Sequence, residues 1–102
     1  MPTRREKIEA MLAEEPRDEF LRYSLAVELA NEGEVEPALD MLRDLAASSP
    51  PYFPAYFLAG RQLAELERLD EARTMLREGA EAARAQGDAH AAGEMSEFLA
   101  SL

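Results

Sequence analysis

Two stretches of this chain decide its fold: LANEGEVEPALDMLRDLA (Leu29–Ala46) and LAELERLDEARTMLREGA (Leu63–Ala80). They stand 34 residues apart. Leu29 falls on Leu63, Ala30 on Ala64 and Ala38 on Ala72; Met41-Leu42-Arg43 falls on Met75-Leu76-Arg77, and Ala46 on Ala80. Glu36 pairs with Asp70 and Asp44 with Glu78, and the same step carries Pro16 onto Pro50. Self-similarity at a fixed period of this size marks a stacked repeat, in which each unit buries its apolar face against the next.

Working outward, Pro and Gly divide the rest of the chain into short helical blocks. The first, about Arg4 to Glu14, carries Ile8, Met11 and Leu12 and ends at Pro16. The second opens at Asp18, a side chain suited to accept from the free N–H groups of a first turn, and runs to Asn31 before Gly33. The third covers about Glu36 to Ala47, with Pro37 in the first turn, where a missing N–H costs least. The fourth spans about Pro54 to Glu67 and the fifth about Asp70 to Gln86, closed by Gly87. Asp88 caps a sixth block, which places Ala91, Met95, Phe98, Leu99 and Leu102 on one stripe. No segment alternates with period two, and every link is short, so the expectation is an all-α fold of antiparallel helix hairpins.

Composition sets the outer bounds. The chain has 102 residues, 47% of them hydrophobic, which suits one globular domain over 1–102. Twenty-one acidic against 11 basic residues leave a net charge of −10, so nucleic acid and anionic membranes are poor partners. The absence of cysteine removes disulfides, thiolate metal sites and cysteine nucleophiles, and fits a reducing cytoplasm. The basic start, Met1 to Lys7, is followed by no apolar stretch, so no secretion signal is expected. Nothing supports catalysis or a cofactor: the single histidine, His90, has no partner nucleophile, and the five glycines are scattered rather than gathered in a phosphate loop. Carboxylate pairs such as Glu14-Glu15 and Asp70-Glu71 lack EF-hand spacing and have no His or Cys co-ligand, so no metal site is expected.

On these residues the chain resembles a tetratricopeptide repeat (TPR) protein, of the small, repeat-only bacterial kind. The family pattern runs W-x2-L-G-x2-Y, then A-x3-F, then P. In residues 19–52, Leu25-Ala26 and Leu29 take the first group of places, Ala38 and Leu42 the second, and Pro50 the last. In residues 53–86, Tyr56 stands for the tryptophan, Ala59-Gly60 for the Leu-Gly pair, and Leu63, Ala72 and Leu76 follow. Residues 3–16 match the second helix of a unit without its first, and residues 88–102 match the closing helix of such arrays. The small residues suggest close helix approach, Ala26 against Ala38 and Gly60 against Ala72. Three positions depart from the pattern. Arg22 replaces a large apolar residue, Arg84 replaces a closing proline, and Glu67 replaces the turn glycine, a reason for that turn to differ from the one at Gly33.

The resemblance implies six helices stacked as a short right-handed superhelix and a non-catalytic binding module. TPR proteins hold peptides or partner helices on the concave face made by the first helix of each unit. Carried onto this chain, that face holds Phe20, Tyr23, Val27, Ala30 and Asn31, then Pro54, Phe57, Arg61, Ala64 and Glu65. Tyr23 and Phe57, 34 residues apart, are the natural aromatic anchors, exposed in the groove or packed between helices. The basic clamp that some TPR domains use for carboxylates is missing, since its places hold Tyr23, Val27 and Leu58. Arg61 is the main cation on the face, while the net charge favours a basic or apolar protein partner over an acidic one. The alternative role is structural: a homodimer closed through an apolar patch around Tyr52, Phe53 and Phe57.

Overall fold

A computed structural model describes all 102 residues. It is all-α, with six helices: α1 (Arg4–Glu14), α2 (Glu19–Asn31), α3 (Val35–Ala46), α4 (Pro54–Glu65), α5 (Leu69–Ala85) and α6 (Ala89–Ala100). Each packs on the next one or two in chain order, giving a slab of 42 × 29 × 19 Å. The short dimension is about two helix layers and the long one is the run of stacked hairpins. No helix is long and apolar enough to cross a membrane.

The caps anticipated from sequence form. The Asp18 carboxylate accepts from the Leu21 N–H at 2.9 Å, and Asp88 accepts from Ala91 at 2.9 Å. Thr3 and Glu6 add a reciprocal capping box at the start of α1, each side chain accepting from the other's backbone N–H.

The 34-residue step is visible in the backbone. After α2, the Gly33 N–H donates to the Ala30 carbonyl and the Glu34 N–H to Leu29; after α4, Glu67 donates to Ala64 and Arg68 to Leu63. After α5 the pattern recurs, Gly87 to Arg84 and Asp88 to Ala83. Each is a Schellman-type stop with its exit residue in the left-handed region: φ is +84° at Gly33, +59° at Glu67 and +84° at Gly87. The replacement of glycine by Glu67 therefore leaves the turn unchanged. The packing of the two hairpins over-determines the conformation, and the residue bears the local cost. It also ends α4 at Glu65, two residues earlier than the sequence pattern suggests.

The core runs through the centre of the slab. Leu39, Leu42, Leu45, Leu63, Leu76 and Met95 are its largest fully buried side chains, and no polar or charged residue is buried. Ala26, Ala38 and Ala72 are fully buried, as expected of small residues at helix crossings. The partner that limits Gly60 is Leu76: a Cβ at Gly60 would stand 2.7 Å from its Cγ. Gly79, a position that sequence reasoning passed over, sits at a closer junction. A Cβ there would stand 2.4 Å from the Tyr56 Cβ on α4 and 2.6 Å from the Met95 sulfur on α6.

Charges tie the turns together on the outside. Arg68 reaches Glu36 at 2.7 Å and Glu71 at 3.0 Å, and Arg5 reaches Glu32 at 2.9 Å and Glu34 at 2.8 Å. All these side chains are at least one-third exposed, so each pair adds little by itself and loses strength in salt.

Candidate functional site

The residues proposed for binding divide between two places. Tyr23 on α2 and Phe57 and Arg61 on α4 come together around one concavity of about 160 Å³. Phe57 and Arg61 are four residues apart on one helix, so they share a face. The Arg61 guanidinium carbon lies 4.8 Å from the Phe57 ring centroid, within cation–π range. Arg61 is exposed and makes no ion pair, leaving its N–H donors free for a ligand.

Pro54, at the start of α4, lines it too, as expected of the concave face. The other lining residues were not expected there: Phe53, just before α4, and Ala91 and Met95 from α6. Ala91 and Met95 follow Phe57 and Arg61 by the same 34 residues that separate Tyr23 from Phe57. The repeat step was the signal that could have found them, had it been carried past residue 86. The closing helix thus supplies a third wall to the concavity.

Both aromatic anchors are half-buried and packed. Tyr23 tilts against Tyr52 with ring centroids 5.7 Å apart, and Phe57 meets Phe98 edge-on at 6.2 Å. The two exposure alternatives for these rings thus merge: one side of each packs on a neighbouring helix and the other lines the concavity. Burial pushes the Tyr23 phenol above its ordinary pKa, with the Arg61 charge opposing, and burial does the same to Tyr52. At neutral pH both hydroxyls are therefore protonated donors. The Tyr52, Phe53, Phe57 patch is occupied within the chain to the same extent, since two of its rings pair internally.

The remaining candidates lie elsewhere. Val27 is half-buried against the core cluster of α2 to α5. Asn31 and Glu65 are exposed at the ends of α2 and α4 and do not line the concavity. Phe20, 66% exposed, lines a separate groove between α1 and α2. His90 is also remote, exposed at the start of α6, 3.3 Å from Glu94. No group of three or more His, Asp or Glu side chains converges as a metal site would require.

No known protein-family model matches the chain, and no curated protein does. Among solved structures, it is similar to protein BPP2914 from Bordetella parapertussis, known from a solution structure. The two are 30% identical with a TM-score of 0.81, over 99% of this chain and 88% of the other. Identity at that level across nearly the whole of both chains goes beyond a shared helix arrangement, and this chain belongs to the same family as the Bordetella protein.

Proposed function

We propose that the chain is a TPR-type, non-catalytic binding module that takes a protein or peptide segment on the face formed by α2, α4 and α6. The 34-residue step and its recurring turn hydrogen bonds support the TPR reading. The observation that carries the functional reading is the convergence of Tyr23, Phe57 and an unpaired Arg61 on one concavity with no carboxylate in its lining. Such a surface suits an apolar side chain inserted beside the rings, with an adjacent carbonyl or hydroxyl accepting from Arg61. Rigid aromatic groups lose little entropy on binding, which is why they make effective anchors.

The test is selection of peptides from a random display library against the purified chain, followed by NMR contact mapping. Selected peptides are expected to show intermolecular contacts to Tyr23 and Phe57. Peptides that map consistently to another face would sink this reading.

A further inference from the structure

The groove between α1 and α2 is the unfilled counterpart of a crevice that is filled elsewhere in the same molecule. It is lined by Ile8 and Met11 from α1 and Phe20 and Leu21 from α2, with Arg4 and Lys7 at its rim. Adding 34 to the four apolar positions gives Leu42, Leu45, Pro54 and Ala55. Leu42, Leu45 and Ala55 are fully buried, in one cluster with Ala26 of α2 and with Tyr23 and Val27 packed against it. In that crevice, between α3 and α4, the occupant is helix α2. In the groove one step earlier Ile8 is buried at its base and Leu21 half-buried, but the other two residues stay open: Met11 is 48% exposed and Phe20 66%.

We infer that the α1–α2 groove is a second docking surface, built to take one amphipathic α-helix from a partner protein in the place that α2 fills one repeat later. The chemistry of its rim selects that helix. Where the filled crevice has Ala38 and Met41, the open groove has Arg4 and Lys7, and no carboxylate lines it. Arg4 is paired with Glu28 at 2.8 Å, while Lys7 has no partner. The net charge of −10 does not override this, because exposed charges beyond roughly 8–10 Å are screened at physiological salt. The partner helix therefore carries a stripe of small and apolar residues at i, i+3, i+4 and i+7, with Asp or Glu along the edge that meets Lys7. A second copy of this chain suits the groove less well, because two such grooves face to face would oppose Lys7 to Lys7.

Two sets of synthetic 16-residue amphipathic peptides test this. Both carry Ala/Leu stripes; one set has Glu and the other Lys flanking the stripe. Titrations monitored by peptide fluorescence anisotropy are expected to show saturable binding of the Glu set and weaker binding of the Lys set. Phe20→Glu, a change at an exposed position, should weaken the Glu set at least about tenfold, and Lys7→Glu should invert the preference between sets. Arg61→Ala should leave both affinities unchanged, which separates this groove from the α2, α4, α6 face. The inference is overturned if no Glu peptide binds, if the Lys set binds better, or if Phe20→Glu has no effect. It is also overturned if sedimentation shows a dimer of the chain that Phe20→Glu dissolves, since the groove's occupant is then a second copy.

Discussion

The guanidinium of Arg61 lies over the face of Phe57, 4.8 Å from the ring centroid, and makes no ion pair in a chain of net charge −10. Twenty-one carboxylates surround it at various distances, yet none approaches it. The exposed arginine therefore contributes little to folding, and its free donors are open to a ligand. Arg61→Ala should change stability by no more than about 1 kcal/mol, the scale of an exposed cation–π contact at a surface site with no ion pair. Chemical denaturation checks this. A loss of several times that amount would mean that Arg61 is a structural strut.

Glu67 sits at φ +59° in a turn that glycine makes twice elsewhere in the chain. Left-handed backbone costs a non-glycine residue about 1–2 kcal/mol, partly offset by the extra entropy that glycine loses on folding. Glu67→Gly should therefore raise stability by about 0.5–1 kcal/mol, read as a higher denaturation midpoint with an unchanged slope. A destabilised variant would contradict the assigned turn.

Two helical glycines should respond in opposite directions to alanine. At Gly79 the new methyl would meet Tyr56 and Met95 inside contact distance, so Gly79→Ala should cost about 1–3 kcal/mol through overpacking. At Gly93, on the open side of α6, nothing lies within 4 Å, and Gly93→Ala should gain up to about 1 kcal/mol of helix propensity. Thermal melts of the two variants should shift to opposite sides of the parent.

The architecture was legible from the 34-residue step together with the punctuation by Pro and Gly. Asp18 and Asp88 marked two helix starts because capping is local chemistry, decided by one side chain and the next turn. Gly79 was not legible, because its constraint comes from Tyr56 and Met95, residues 23 and 16 positions away that only the fold brings together. Glu67 misled for a related reason: local preference argued for a different turn, and tertiary packing overrode it. Of the candidate site, Tyr23, Phe57 and Arg61 were legible as a helical stripe. Phe20 lay on the same stripe, but its surroundings are set by α1. Ala91 and Met95 escaped notice because a small residue and a methionine in a closing helix read as core.

All three tyrosines have phenol pKa values raised by burial above the ordinary 10.0. A folded-state pKa above the unfolded one means that the native state keeps protons the unfolded chain releases. Their contribution is therefore present below pH 10 and is lost as pH rises through the folded values. Stability should fall as pH climbs above about 10, with the phenolate absorbance of the folded chain appearing later than that of the unfolded chain. Coincident phenolate titrations in the two states would contradict the burial of Tyr23, Tyr52 and Tyr56 between helices.

The central claim, binding on the face of Tyr23, Phe57 and Arg61, is tested most directly by calorimetry with a partner identified from affinity capture. The partner should be titrated into the parent chain, Arg61→Ala and Phe57→Leu, the last of which keeps an apolar side chain in place. Each substitution is expected to weaken binding by about tenfold or more, equivalent to about 1.4 kcal/mol, while both variants remain folded by circular dichroism. Equal affinities for all three folded proteins would contradict binding on this face.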